Sequence, residues 1–413
     1  MRIHRAWFVL AITFVALLVT AGLRSAPGVM IRPLELSMGW DRATISLSVA
    51  IGILFYGLTG PFSAALTNRI GLKPTMLGGL VLMACATFAS RWMTEPWQFV
   101  LSWGIVAGVG SGAVAPVLAA TVVNRWFAQH RGLAMGVLSA STATGALVFL
   151  PLFAWLAGDV AWRNVALAVS IAALAIIPIV WLLMPEDPRS VGLTRLGEEA
   201  LPTPATPEPA TRPGAIATLR LAVVEPMFWL LAGTFFVCGL TTNGLIGTHL
   251  IAYCGDIGIA SVAAAGMLSM MGLLDIVGTT ASGWLTDRYD PRKLLCIYYG
   301  LRGLSLIALP FAGQDAQFLT IFAIFYGLDW IATVPPTVAL ASRTFGDRLA
   351  PIVFGWIMVA HQLGAATAAF GAGVIRSETG SYIYAFLLAG AFGLLAAFAI
   401  ISLARTGRRA AVA

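Results

Sequence analysis

Five ionisable side chains fall inside long apolar runs of this chain: Arg24, Asp275, Arg302, Asp329 and His361. A charge at bilayer depth costs at least about 2.5–3.5 kcal/mol on insertion scales, so each marks a candidate functional position. At about 1.5 Å of rise per residue, Asp275, Arg302, Asp329 and His361 lie roughly 13–20 Å into their helices, near a bilayer midplane. Arg24 lies farther out, roughly 25 Å from the start of its helix. A guanidinium can grip a carboxylate through two parallel hydrogen bonds, which makes Arg24 the first candidate for binding an anionic substrate. Snorkelling to lipid headgroups is the alternative. Asp275 and Asp329 are candidate proton carriers, since a buried carboxyl that takes up a proton loses the charge opposing closure around it. A static ion pair with Arg302 is the competing reading, and Arg302 itself reads either as that partner or as a substrate contact. His361 could accept a proton, donate to substrate or be a satisfied interior histidine. Asn243, in Gly239-Leu240-Thr241-Thr242-Asn243-Gly244, marks a helix interruption of the kind that lines cavities. His249 reads as capping polar structure near its helix end.

A second set of charges lies at the ends of apolar runs. Gly60-Pro61-Phe62-Ser63-Ala64-Ala65-Leu66-Thr67-Asn68-Arg69-Ile70-Gly71-Leu72-Lys73 closes one, and Gly283-Trp284-Leu285-Thr286-Asp287-Arg288-Tyr289-Asp290-Pro291-Arg292-Lys293 closes another. The copies lie about half a chain apart, and each follows the second apolar segment of its half. A repeat on that scale predicts two related membrane bundles facing each other, as many secondary transporters are built.

The elements that must position these residues are helices. The chain has 413 residues, 59% hydrophobic and 10% charged, with a mean hydropathy of +0.88. Soluble domains carry about 25% charged residues. The apolar runs are long and continuous rather than short and alternating, which excludes a membrane β-barrel. The predicted fold is an all-α membrane protein with twelve transmembrane helices: 6–30, 43–66, 75–93, 97–124, 133–157, 161–184, 227–253, 260–286, 293–312, 316–342, 350–374 and 380–404. They divide into a six-helix bundle over 1–184, a linker over 185–225 and a second six-helix bundle over 226–413. The linker's Pro-rich tract from Leu201 to Pro209 cannot pack a core and reads as flexible. The segment Ala6 to Ala21 could pass for a signal peptide, but its removal would leave eleven spans and break the symmetry.

Eighteen of the 25 Lys and Arg residues fall on the side of the termini, five on the other, and two, Arg24 and Arg302, inside spans. This predicts a multi-pass protein of the inner (plasma) membrane with both termini cytoplasmic. The net charge of +7 is that flanking arginine and implies no nucleic-acid partner. Cys85, Cys238, Cys254 and Cys296 have no metal-ligand spacing and read as small apolar residues. No metal, cofactor or ATP-binding loop is implied, and no nucleophile–base constellation points to an enzyme. Lipid, a small anion and protons are the expected partners of a monomer.

The repeated loop motif resembles that of the major facilitator superfamily, whose pattern is Gly-x-Leu-x-Asp-Arg-x-Gly-Arg-Lys. The second copy matches at Gly283, Leu285, Asp287, Arg288, Arg292 and Lys293, with Asp290 where glycine is usual. The first keeps Leu66, Arg69, Gly71 and Lys73, with Ala64 and Asn68 as departures. The first copy is also similar to the monocarboxylate porter branch, as are Arg24-Ser25, Arg32-Pro33-Leu34-Glu35 and the aspartate position Asp275. The tract Glu186-Asp187-Pro188-Arg189-Ser190-Val191-Gly192-Leu193 resembles the oxalate/formate antiporters. Those branches carry an arginine four residues after the aspartate, where this chain has Thr279. The oxalate antiporters carry a lysine on helix 11, where this chain has His361.

The resemblance implies transport by alternating access. The expected function is secondary active transport of small, monocarboxylate-like organic anions by proton symport. Anion exchange, or efflux of larger amphipathic compounds through a pocket lined by aromatics such as Tyr56, Trp103, Phe149, Trp155, Tyr326 and Trp330, is the alternative. The candidate substrate contacts are Arg24, Asn243, Thr279, Arg302 and His361, with Asp275 and Asp329 for proton coupling. The resemblance further implies that Asn68, Arg69, Lys73, Asp287, Arg288 and Arg292 gate one face by pairing with helix ends, Asp287 with Arg343 or Arg348 for example. Plain anchoring of the charged loops at the membrane is the alternative for these residues.

Overall fold

A computed structural model of the chain describes residues 4–40, 42–157, 161–198 and 214–410. Among the described residues twelve membrane-length helical spans follow one another. The first six are α1 (Arg5–Met38), α2 (Arg42–Ile70), α3 (Leu72–Ala89), α4 (Pro96–Trp126), α5 (Arg131–Ala157) and α6 (Trp162–Leu183). Then come α7 (Pro226–Asp256), α8 (Ser261–Thr286) and α9 (Pro291–Ala308). The tenth begins at Ala316–Asp329 and continues into Val334–Thr379, a stretch 46 residues long. Gly346 divides it with φ of 75°, a left-handed conformation that glycine adopts without a Cβ clash. Residues 334–345 complete α10, 347–379 form α11, and α12 is Ile383–Ala410.

Helices are the answer here because nothing in a hydrocarbon phase can satisfy a backbone N–H or C=O except the helix itself. Side chains that carry hydroxyls follow the same rule: Thr13, Thr20, Thr87, Thr121 and Ser170 return their protons to carbonyls four residues back. Three helices depart from regular α form within the membrane-length spans. α4 has a π-helical stretch at Val100–Val106, α7 has another at Leu240–Ile246, and α10 loses helical form between Asp329 and Val334. α1 runs unbroken through Pro27 and Pro33. Such breaks persist at membrane depth only where the backbone is buried in protein or faces a wet cavity.

The two six-helix bundles meet along α5 against α8 and along α2 against α11. Contact is closest toward the end that holds the chain termini and both loop motifs, here called the terminal face. Gly132 and Gly283 pack backbone to backbone, and a Cβ on Gly136 would lie 2.6 Å from the Thr279 carbonyl. A Cβ on Gly355 would lie 2.6 Å from the Pro61 nitrogen. Small residues at these crossings are what allow the bundles to close without side chains between them.

The segments between the bundles are ordered where they are described. Leu196 pairs with Phe127 in an isolated β-bridge, and the Ala128 and Gln129 amides both donate to the Leu196 carbonyl. Glu186 accepts from the Leu72 and Lys73 amides at 2.6 and 3.1 Å, capping the start of α3. A short helix, Ala215–Ala222, follows, and Trp356 donates to its first carbonyl. The Pro-rich tract from Leu201 to Pro209 lies outside the described residues.

Candidate functional site

A cavity of about 490 Å³ lies between the bundles. Its walls are Ser139 to Pro151 on α5, Phe235 to Ile251 on α7 and Ala265 to Asp275 on α8, with Arg24 on α1 and Trp330 at the α10 break. These stretches run from the middle of the helices into the half remote from the terminal face. Its size falls in the range of small-molecule sites. Two of the three interrupted helices reach it, α7 through Asn243 and α10 through Trp330 and Ile331, and the unbroken α1 reaches it through Arg24.

Arg24 is the one arginine or lysine among the lining residues. Its guanidinium carbon stands 4.4 Å from the centre of the Tyr56 ring. It makes no hydrogen bond or ion pair with another described residue. An arginine stacked on an aromatic face keeps its donor edge free, and that edge is what a planar carboxylate requires. Arg24 thus lines the cavity while remaining exposed. Across the cavity, Asn243 Nδ2 lies 3.4 Å from His361 Nε2. His361 is only 8% exposed and packs 5.0 Å from the Phe235 ring, while its Nδ1 has no hydrogen-bond partner. Asn243 sits in the π-helical stretch of α7, where the widened turn turns its amide toward the cavity.

Asp275 lines the same cavity. One carboxylate oxygen, Oδ1, accepts from the Thr279 hydroxyl at 2.6 Å and from the Ile331 amide at 3.0 Å. The other, Oδ2, is buried without a partner. Thr279 itself is fully buried and spends its hydroxyl on Asp275, so it is not a wall residue. The Ile331 amide is one of those freed by the break in α10, and Asp275 satisfies it.

Arg302 and Asp329 form a second, buried arrangement behind this wall. Both are buried, at 0% and 4% exposure, and neither lines the cavity. Arg302 Nε donates to Asp329 Oδ2 at 2.6 Å. Its Nη2 donates to the carbonyls of Asp329 and, at 3.2 Å, Trp330. Its Nη1 reaches Cys238 Sγ at 3.2 Å and Thr241 Oγ1 at 3.5 Å. The guanidinium thus satisfies carbonyls that the α10 break leaves without helical partners, and it ties α9 to α7 and α10. Of the two aspartates, Asp329 is the one that pairs with Arg302, while Asp275 faces the cavity.

At the terminal face the loop residues have different partners. Asp287 accepts from the Gly132 and Leu133 amides at 2.7 and 2.8 Å, at the first turn of α5 in the opposite bundle. It does not pair with Arg343 or Arg348: a carboxylate at a helix start meets free N–H groups and the positive end of the helix dipole. Asn68 donates to the Arg348 carbonyl at 3.3 Å and accepts from Arg125. Arg288 lies 3.9 Å over the Trp284 ring, the Arg292 amide donates to Asp290, and Arg69 is exposed. The strongest link at this face lies outside the repeated motif. Arg131 grips Asp347 with two bonds of 2.7 Å, and Arg195 adds a third at 3.1 Å. Arg195 also holds Glu198, whose carboxyl is kept below its ordinary range by that hydrogen bond. Asn124 joins in, donating to Ser342 and to the Asp347 carbonyl. Only the spacing of Arg131 and Asp347 at two loop ends could have hinted at this pair.

Other assignments divide in the same way. Tyr56 and Trp330 are wall residues, whereas Trp103, Phe149, Trp155 and Tyr326 are not. His249 bonds the Tyr382 hydroxyl and the Ala369 carbonyl near the end of α7.

The sequence profile of the Major Facilitator Superfamily matches residues 13–369 and 256–412. Monocarboxylate transporter 13 of Rattus norvegicus is 28% identical over 401 residues, covering 96% of this chain and 88% of the relative. The uncharacterized MFS-type transporter YcxA of Bacillus subtilis is 24% identical over 393 residues, covering 91% and 90%. Among solved structures, the transporter FucP in its outward conformation superposes with a TM-score of 0.69 at 15% identity, covering 96% of this chain and 99% of that one. The proton:xylose symporter XylE superposes with a TM-score of 0.70 at 13% identity, covering 95% and 94%. All of these relatives are named as transporters, none as an enzyme. With twelve helices, an inter-bundle cavity and a profile match across most of its length, the chain belongs to the major facilitator superfamily.

Proposed function

We propose that the protein is a proton-coupled symporter of small monocarboxylate-like anions, working by alternating access. We place it in the inner membrane with both termini cytoplasmic, so that the terminal face is cytoplasmic and the structure is outward-facing. The observation that carries this reading is Arg24, an unpaired guanidinium in a cavity otherwise lined mainly by apolar and neutral side chains. In this reading Arg24 holds the carboxylate, and the Asn243–His361 pair meets the rest of the substrate from the other bundle. Asp275 carries the proton through its unpartnered oxygen. Protonation there also alters the acceptor of the Ile331 amide, which couples the proton to the broken segment of α10. A ligand drives the cycle only through unequal affinity for the two states, and closure of the wall around Arg24 supplies that difference. Arg302 and Asp329 hold α9, α10 and α7 together and do not contact substrate. Names of the relatives that mention monocarboxylates support the choice of substrate class.

The test is uptake of labelled mono- and dicarboxylates into proteoliposomes, with and without an inward proton gradient. Saturable monocarboxylate uptake that the gradient enhances is expected. Its absence in folded protein rejects the reading. Asp275→Asn is expected to retain substrate exchange while losing gradient-driven accumulation. Equal loss of both modes contradicts the role given to Asp275.

A further inference from the structure

A second pocket, about 590 Å³, lies in the terminal face. It is built from the α4–α5 turn of the first bundle and from the end of α8 and the second part of α10 in the other. It exists as a pocket only while the two bundles meet at this face. Four of its wall residues are basic: His130, Arg131, Arg288 and Arg343. Its one acidic wall residue, Asp287, already accepts from two amides of α5. Asp347 offsets Arg131, but it is shared with Arg195. The Arg288 guanidinium lies over Trp284 and bonds only a carbonyl. Arg343 is exposed and makes no hydrogen bond or ion pair with another described residue, and neither does the His130 side chain. The His130 backbone has φ of 59°, the one positive value at a non-glycine among the described residues. Such a conformation at an L-residue costs about 1–3 kcal/mol and is found where surroundings impose it, commonly at ligand sites. The pocket therefore gathers basic side chains from both bundles and leaves two of them, His130 from the first and Arg343 from the second, without acceptors.

We propose that this pocket is a second anion-binding site, distinct from the Arg24 cavity, which takes a compact multivalent anion bearing carboxylate or phosphate groups and staples the terminal face shut. Arg343 and Arg288 reach the anion from the second bundle and His130 from the first, while Arg131 stays committed to Asp347 and the Phe127 carbonyl. One anion gripped from both sides favours the closed face over the open one, because opening would separate its ligands. On the orientation proposed above this face is cytoplasmic, so a cytoplasmic metabolite would slow return of the carrier. The binding itself does not depend on that orientation or on what the Arg24 cavity carries.

The experiment uses the full chain in lipid nanodiscs, with citrate and pyrophosphate as probes and sodium chloride at matched ionic strength as the control. Binding is measured by isothermal titration. Closure is read from the electron-spin distance between nitroxides at Ile70→Cys and Tyr289→Cys, in a background with Cys85 and Cys296 replaced by alanine. At least one probe is expected to bind and to enrich the short-distance population, with the two probes separating carboxylate from phosphate preference. Arg343→Ala is expected to weaken binding at least tenfold, Arg343→Lys less so, and Arg24→Ala not at all. His130→Ala supplies a second variant, expected to weaken binding severalfold, should Arg343→Ala fail to fold. The proposal is overturned if neither probe binds, if chloride alone reproduces the effect, or if the folded Arg343 or His130 variant binds as well as the parent. Loss of binding in Arg24→Ala overturns it too, by assigning the anion to the other cavity.

Discussion

Arg24 in the first bundle and Arg302 in the second are both guanidiniums inside apolar helices, yet their surroundings differ completely. Arg302 is wrapped by five acceptors: a carboxylate oxygen, two carbonyls, a thiol and a hydroxyl. Arg24 has a tyrosine ring beneath it and an open cavity in front. The same side chain costs the protein differently in the two places. A buried, fully bonded guanidinium is a fixture of the fold, because separating it from its partners leaves charge without compensation. On the function proposed above, an unpaired one facing a cavity is held ready for the substrate. Asp329 and Asp275 differ in the same way among the carboxylates: Asp275 lines the cavity and has no ion-pair partner among the described residues. Asp329 keeps one unbonded oxygen, and its charge is matched by Arg302.

The comparison breaks most visibly through Arg302. Arg302→Ala strands the Asp329 carboxylate and frees two carbonyls at the α10 break, an expected loss of about 3–5 kcal/mol. Thermal unfolding of the purified protein should show a large fall in Tm or no folded protein at all. Arg24→Ala tests the other side. The expected loss is roughly 10- to 100-fold in apparent substrate affinity, the worth of hydrogen bonds to a charged group, with Tm unchanged. A Tm that falls as far as in the Arg302 variant would make Arg24 another fixture of the fold. The smallest effect concerns the contact between the bundles at the terminal face. Asp287→Ala removes a cap from α5 worth about 0.5–2 kcal/mol. Accessibility of cysteines introduced on the terminal face should rise by a corresponding factor of roughly 2 to 30 as the open population grows.

Much of this was legible in the sequence, and the limits have physical causes. Apolar runs of membrane length gave the helices, because the hydrocarbon phase allows no other backbone solution. The one place where two spans run together is the α10–α11 turn, where Gly346 bends the chain without a gap in helical hydrogen bonding that would mark a loop. The intramembrane charges stood out by type alone. Which aspartate faces the cavity did not, since that depends on how α8 and α10 are rotated about their axes. A pair between Arg302 and an aspartate was among the readings; the choice of Asp329 follows from packing of α9 against the α10 break. Thr279 occupies a position read as a substrate contact, but one turn from Asp275 its hydroxyl is within reach of that carboxylate. The partner of Asp287 was hidden for another reason. Arginine side chains can be read from a sequence, whereas the unsatisfied amides at the first turn of α5 can be read only from the fold.

The most direct test of the contrast compares Arg24→Ala with the neutral double variant Arg302→Gln, Asp329→Asn, which keeps hydrogen-bonding side chains at both buried positions. The measurement is proton-gradient-driven uptake of a labelled monocarboxylate into proteoliposomes, made with protein shown to be folded by its melting transition. Retained uptake in the double variant and lost uptake in Arg24→Ala is the predicted result. Retained uptake in Arg24→Ala together with its loss in the double variant would contradict it, and would move the substrate chemistry to the buried pair.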